Sequence, residues 1–260
     1  MSLAPKLTSL AAPRGGVQRP SGGRAGVARA AQTLADILFS QGFGTRRHVA
    51  ALIAAGQVRI GGNLRDDPRE LLAVEGLEFS VQGQTWPYHA KALVLLHKPA
   101  GYECSAKPRH HPSILSLLPA PLRERGLQPV GRLDEDTTGL LLLTDDGALI
   151  HRITSPKHHV HKVYEVTCKH ALAADAVARL LSGVVLDDDP APVHAVACEA
   201  TGESSLRLTL EEGRYHQVKR MVAAVGNRVE ALHRSAVGPW SLPPDLAPGQ
   251  WRWADAAAHG

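Results

Sequence analysis

The sequence predicts an α+β fold: a small N-terminal domain of two helices and short strands, then a larger domain in which strands and helices mix. Three observations carry this reading. Residues 34–83 hold two helical apolar repeats followed by a short alternating strand. Beyond residue 92, continuous apolar runs at Leu93–Leu96 and Leu140–Leu143 accompany a strict alternation at Leu206, Leu208 and Leu210. The order of helices and strands is irregular, with no repeating βα unit and no internal repeat, which fits α+β better than a doubly wound sheet.

The elements follow in order. Residues 1–33 carry five Lys/Arg, no acid and no apolar period, and are expected to form a disordered basic arm. Leu34, Ile37 and Leu38 have helical spacing. Thr45 is a good N-cap for a second helix, in which Val49, Leu52 and Ile53 repeat at i, i+3, i+4, and Gly56 stands where a C′ glycine ends it. Val58-Arg59-Ile60 alternates as a strand into a Gly61-Gly62 turn. Arg46 and Arg47 fall in the first turn of the second helix, where cations oppose the helix dipole; a phosphate-facing surface would want them, and a purely structural one would tend to avoid them. Residues 84–92 read as a linker. The larger domain then spans 93–255, with a short tail over 256–260. Within it Ala148–Ser155 suits a helix stopped by Pro156, Lys162–Cys168 a strand, and Ala171–Leu181 a helix.

Composition narrows the class. With 260 residues, 44% apolar and 21% charged, the chain suits one sizeable core plus an accessory domain. No apolar run approaches the roughly 20 residues of a membrane helix. The first residues lack the apolar core of a secretory signal, so a cytoplasmic protein is expected. Cys104, Cys168 and Cys198 are odd in number and far apart, which argues against a disulfide framework or a zinc site. The net charge of +4 lies in the arm: residues 34–92 hold six bases and six acids, and residues 93–260 hold 18 and 19. Any nucleic-acid site in the folded body must therefore be a local patch.

Three clusters of residues can carry chemistry. Gly131-Arg132-Leu133-Asp134-Glu135-Asp136-Thr137-Thr138-Gly139 is a polar loop bracketed by glycines; alone, such a loop is usually a solvated turn with Asp134 or Asp136 capping local amides. Glu212 to Met221 opens a helix near Tyr215, with Val218, Met221, Val222 and Val225 as its core face and His216, Lys219, Arg220 and Ala223 on another. That second face fits a solvated surface and a phosphate or carboxylate site equally well. His158, His159 and His161 stand near Lys162-Val163-Tyr164. With no Cys or carboxylate at ligand spacing, a basic, aromatic strand touching RNA is the better reading than a metal site, and a tyrosine packed in a sheet is the bland one for Tyr164.

Two resemblances sharpen this. Gly44-Thr45-Arg46-Arg47, Leu52-Ile53 and Ala55 to Gly62 resemble the S4 RNA-binding domain, although this chain opens on Thr33-Leu34-Ala35-Asp36 where such domains have an Arg-Leu-Asp start. Gly131 to Asp134, Thr137 to Leu140 and Thr144 to Gly147 resemble the RsuA-like family of pseudouridine synthases. The likeness extends to Lys98-Pro99, Gly101-Tyr102, Thr154 to His159 and Glu212 to Arg220, and is strongest toward the enzyme for small-subunit (16S) ribosomal RNA. It implies an S4-like domain followed by a catalytic domain with a mixed, mostly antiparallel sheet flanked by helices. It also implies isomerisation of a uridine in small-subunit ribosomal RNA without cofactor or metal, and the sequence holds no Gly-rich dinucleotide motif and no phosphate loop. The reaction needs an ionised carboxylate beside sugar and base, which maps to Asp134. Lys219 is expected to pair with it and favour its charged form once water is excluded. Tyr164 maps to the tyrosine that stacks on the target base. Arg132 is expected to hold the extruded nucleotide, and Arg46, Arg47, Arg214, His216 and Arg220 to contact RNA. The partner is ribosomal RNA or a small-subunit precursor particle, with no membrane, and the protein is expected to be a monomer. Two rivals remain: a family member acting on large-subunit (23S) ribosomal RNA, and a non-catalytic S4-type RNA-binding or assembly factor.

Overall fold

The computed structural model describes residues 31–187 and 189–254. The proposed arm up to residue 30 and the tail over 256–260 lie outside these. Residues 31–33, assigned above to the arm, instead form strand β1 (Ala31–Thr33). Helices α1 (Leu34–Ser40) and α2 (Arg46–Ala54) follow, and each starts at a threonine whose side chain caps the first turn: Thr33 accepts from the Asp36 amide at 3.1 Å and Thr45 from the His48 amide at 3.2 Å. Their apolar faces bury Leu34, Ile37, Leu38, Val49, Leu52 and Ile53. Gly56 then adopts φ 67°, a left-handed turn that ends the helix and that a Cβ would oppose.

Short strands complete the small domain: β2 (Val58–Ile60), β3 (Asn63–Leu64), β4 (Leu71–Ala73), β5 (Glu78–Val81) and β6 (Gln84–Pro87). β1 pairs antiparallel with β4, and the others form a sheet in the order β3-β2-β5-β6. β6 corrects the linker assignment over 84–92. Its pairing with β5 places Trp86 opposite Phe79, and Phe43 meets both rings edge-on at 5.6 Å. Pro87 is tolerated because β6 is an edge strand.

The large domain is built on β7 (Leu93–Lys98), β8 (Gln128–Pro129), β9 (Thr138–Thr144), β10 (Lys162–Cys168), β13 (Ala197–Gly202), β14 (Ser205–Leu210), β15 (Val229–Val237), β16 (Trp240–Ser241) and β17 (Trp251–Trp253). Between them lie helices α3 (Ala120–Glu124), α4 (Gly147–Thr154), α5 (Ala176–Ser182) and α6 (Gln217–Ala224), and a separate hairpin of β11 (Val184–Leu186) and β12 (Asp189–Val193). The main order is β13-β14-β10-β15-β9-β7-β17, with β8 on β9 and β16 on β15. Among the described residues its pairings are antiparallel except β15 with β9, so the sheet is mixed and mostly antiparallel.

Both faces of the central strands are covered, which explains their continuous apolar runs. Leu93, Leu95, Leu140 and Leu142 pack with Leu149 and Ile153 of α4. Val94, Leu96, Leu141 and Leu143 belong to the core that also holds Leu180 of α5 and Val218, Met221 and Val222 of α6. Arg125 locks the two domains together: its guanidinium, 4% exposed, donates to Asp145 at 2.6 Å and to Gln41 and His89 O of the small-domain side at 2.6 and 2.5 Å.

Two helices start later than their sequence suggests. The helix expected from Ala171 begins at Ala176, because the backbone of 170–172 is already bonded elsewhere: Asn227 Nδ2 donates to His170 O and Ala171 O, and the Leu172 amide donates to Glu203 O. The helix expected near Tyr215 begins at Gln217, because His216 is left-handed at φ 48° and ψ 33°. His216 therefore stands at the N-cap, ahead of the helix that carries Lys219.

Candidate active site

The loop from Gly131 to Gly139 is fixed from beneath by buried groups. Leu133 is 8% exposed, and its amide donates to Cys104 Sγ at 3.5 Å. Lys98, at the end of β7 and 0% exposed, donates from Nζ to Pro99 O and Glu135 O at 3.0 Å and to Thr137 O at 2.7 Å. Burial pulls the Lys98 pKa below its ordinary value, against the upward pull of Cys104, Glu135, Asp136 and Asp134. The far end enters β9 at Gly139, φ 109°, where a Cβ would lie 2.2 Å from Arg234 O. Glycine is required there on both counts.

So held, the loop presents Asp134 half-exposed between the nitrogens of two side chains. Lys219 Nζ lies 3.0 Å from its Oδ2, and His216 Nε2 lies 3.4 Å from its Oδ1. Lys219 is nearer still to Asp136, at 2.7 and 2.9 Å from its two oxygens. One lysine thus bridges two carboxylates. Burial lowers the Lys219 pKa, but the bonds and charges of Asp136 and Asp134 outweigh it, and the net shift is upward. For Asp136, burial acts upward and the Lys219 contact more than offsets it, so its pKa is lowered. The pair is charged at neutral pH.

Two clefts open on Asp134. The narrower, about 90 Å³, is lined by Arg132, Thr137, Tyr164, Arg214, His216 and Lys219 among others. Tyr164, on β10, is 8% exposed and forms part of its wall. The wider, about 460 Å³, runs between Glu103–Ser105 on one side and Gly213–His216 on the other, with Arg132 to Glu135 along it. Arg132 is exposed and lines both. Arg214 also lines both and pairs with Glu212 at 3.2 Å. Arg220 lines neither; its Nη1 donates to Tyr215 O at 3.2 Å. Asp134, Tyr164, Lys219, Arg132, Arg214 and His216 are therefore brought together from three separate segments.

Arg46 and Arg47 sit apart, on α2. Arg46 pairs with Asp36 at 2.8 Å, and its guanidinium lies 4.5 Å over the Phe39 ring. These contacts give Arg46 a structural reason to occupy a first helical turn, contrary to the expectation that a structural sequence avoids cations there. Arg47 is exposed and has no ion pair among the described residues. The histidine cluster also differs from its sequence reading: a carboxylate does stand beside it, since Glu211 meets His159 Nδ1 at 2.7 Å and His161 Nε2 at 3.1 Å. Among the described residues no group of three such side chains is arranged to hold a metal ion.

Sequence reasoning missed Asp136, Lys98 and Glu103. For Asp136 a signal existed, since a carboxylate two residues from Asp134 in a turn can face the same cation. Glu103 accepts from the amides of Arg109, His110 and His111 at 2.8–3.1 Å, which lowers its pKa to about 2 and pins the exposed basic segment 107–111 beside the wider cleft.

A mixed-sheet domain with a lysine-paired aspartate and a tyrosine in one cleft, preceded by a small domain of two helices and short strands, fits a two-domain enzyme that acts on RNA. Residues 92–224 match the RNA pseudouridylate synthase family and residues 32–76 match the S4 domain. The chain belongs to the RNA pseudouridylate synthase family. It is 40% identical over 224 residues to the ribosomal small subunit pseudouridine synthase A of Salmonella typhimurium, covering 84% of this chain and 94% of that one. It is 38% identical over 224 residues to an uncharacterized RNA pseudouridine synthase of Bacillus subtilis, covering 84% and 93%. A crystal structure of a pseudouridylate synthase superposes with a TM-score of 0.62 at 34% identity, covering 86% of this chain and 96% of that one. No helix among the described residues is long and apolar enough to cross a membrane.

Proposed function

We propose that the protein converts a specific uridine of small-subunit ribosomal RNA to pseudouridine, acting as a cytoplasmic monomer on the RNA or on a precursor particle. The observation that carries this reading is Asp134, a carboxylate at the junction of two clefts, held between Lys219 and His216 with Tyr164 in the adjoining wall. The reaction breaks the bond from ribose C1′ to uracil N1, turns the base, and joins C1′ to C5; the C5 proton leaves and N1 gains one. No electrons are transferred. Asp134 supplies the ionised carboxylate at the sugar–base junction. Lys219 keeps that charge paired once RNA closes over the site. Tyr164 offers a ring face to the uracil and a hydroxyl toward C5. Arg132, exposed on both clefts, meets the backbone of the extruded nucleotide.

The test is Asp134→Asn, a near-isosteric change that leaves neither nucleophile nor base. Tritium release from ribosomal RNA labelled at uridine C5 should vanish while folding and RNA affinity persist. Normal release by this variant would end the assignment. Mapping pseudouridine in ribosomal RNA of a strain lacking the gene should show one site missing from the small subunit; a site missing from the large subunit instead would reassign the substrate.

A further inference from the structure

Tyr215 stands on the rim of the wider cleft with 73% of its surface exposed, the largest exposure among the exposed large apolar side chains described. It is nevertheless held in place. Its ring stacks on that of His216, with centroids 3.8 Å apart and planes 19° from parallel. His216 is in turn fixed by its left-handed backbone and by its approach to Asp134 at 3.4 Å. Arg220 Nη1 holds the Tyr215 carbonyl, and Gln217 Oε1 accepts from the Arg214 amide at 2.8 Å, so the turn that carries the ring is tied on both sides. One face of Tyr215 is covered by imidazole. Among the described residues no other ring meets its opposite face.

An exposed, pre-ordered aromatic face beside a cleft that carries arginines, here Arg132 and Arg214, suits the holding of single-stranded nucleic acid, since every base has a π-face and little ordering entropy remains to be lost. The occupant cannot be the reacting uracil if that base lies against Tyr164. Tyr164 is buried in the narrower cleft, Tyr215 stands on the wider, and the two clefts meet at Arg132 and Asp134. A nucleotide inserted toward Tyr164 leaves its chain running out past Asp134, where the next base arrives at the open face of Tyr215.

We infer that Tyr215 is a stacking platform for the base next to the target uridine, and that its stack on His216 couples this neighbour to the catalytic carboxylate. The inference rests on reading Asp134 and Tyr164 as the pseudouridine site. It predicts discrimination by context: a base with a large ring face beside the target should bind better than an abasic position.

The test uses the full chain and a ribosomal RNA fragment with 2-aminopurine placed immediately 5′ or immediately 3′ of the target. Binding of the wild type should quench the fluorescence at one of these positions. Tyr215→Ala should lose that quench and raise KM for the fragment about tenfold, the scale of one lost base–aromatic stack. Tyr215→Trp should keep the quench and a near wild-type KM. Equal quenching and equal KM in Tyr215→Ala would overturn the inference, as would loss of both in the Trp variant. The fluorescence arm needs no turnover. A quench that depends on Tyr215 in a wild type releasing no tritium would support the stack and overturn the functional reading instead.

Discussion

Lys98→Met probes how the catalytic loop is held. The native side chain is fully buried and makes three hydrogen bonds to carbonyl oxygens, at Pro99, Glu135 and Thr137. Bonds from a charged donor contribute about 1.5–3 kcal/mol each, so three sum to roughly 4.5–9 kcal/mol. Burying the ammonium costs several kcal/mol in the opposite direction. Met fills a similar volume and carries neither term, which leaves a net destabilisation of about 2–4 kcal/mol. At about 2–4 °C per kcal/mol for a domain of this size, Tm should fall by about 4–16 °C. Activity should fall as well, because Glu135 O and Thr137 O flank the loop's acids, and displacement of a catalytic group by about 1 Å costs on the order of 100-fold. Burial holds the Lys98 pKa below its ordinary 10.5. Between the folded and unfolded values the unfolded chain binds more protons, so stability rises with pH in the window just below 10.5, and the Met variant should lose that slope. Thermal unfolding and tritium release measure both effects. A variant that unfolds at the wild-type temperature and turns over at the wild-type rate would refute the reasoning.

Further substitutions separate the remaining roles. Lys219→Ala leaves Asp134 and Asp136 without their shared cation and should cut turnover by about 10²–10³-fold with RNA affinity little changed; weaker binding with normal kcat would make Lys219 a phosphate contact instead. Tyr164→Phe keeps the ring and removes the hydroxyl, so binding should survive and any loss should appear in kcat. Glu103 titrates in the folded protein at about 2, below its ordinary 4.5, so its contribution is complete above 4.5 and is lost as pH falls toward 2; Glu103→Gln should flatten the acid limb of the stability curve in that window. Arg47→Ala should weaken RNA binding and reduce the slope of log affinity against log salt by about one. Arg46→Ala should do less to that slope, since Asp36 already neutralises this arginine; a wild-type slope in both variants would exclude α2 from the RNA surface.

Local physics made much of the fold legible. Thr45 could be read as a cap because only short-range geometry is involved, and Lys162–Cys168 as a strand because its pattern is short and unbroken. What could not be read depends on partners far along the chain. Gln84-Thr85-Trp86-Pro87 looks like a linker until β5 pairs with it and Trp86 finds Phe43. Lys98 looks like a surface lysine until carbonyls 37 and 39 residues onward enclose its ammonium. Asp136 looks like a solvated turn residue until Lys219, 83 residues later, reaches it. The family resemblance indicated which residues the site needs, where spacing alone left the acidic loop and the basic helix face open, and the pairing of these groups is decided by tertiary structure.

The sheet order itself accounts for the convergence of Asp134, Tyr164 and Lys219. β15 lies between β10 and β9, with Arg234 opposite both Tyr164 and Gly139. Neighbouring strands are about 4.8 Å apart, so Tyr164 and the end of the aspartate loop lie within about 10 Å across the sheet. α6, which immediately precedes β15 in the chain, packs Val218, Met221 and Val222 into the core with Leu232 and Tyr164, and this directs Lys219 toward the loop. The single parallel pairing, β15 with β9, is what allows the loop entering β9 and the helix entering β15 to meet at the same end of the sheet. A one-residue slip of β15 would turn Arg234 and Leu232 to the opposite face. The close approach at Gly139, together with the anchoring of Arg234 Nε on Leu140 O at 2.9 Å, opposes that slip. Register at this one pairing therefore sets both the core and the position of the catalytic carboxylate.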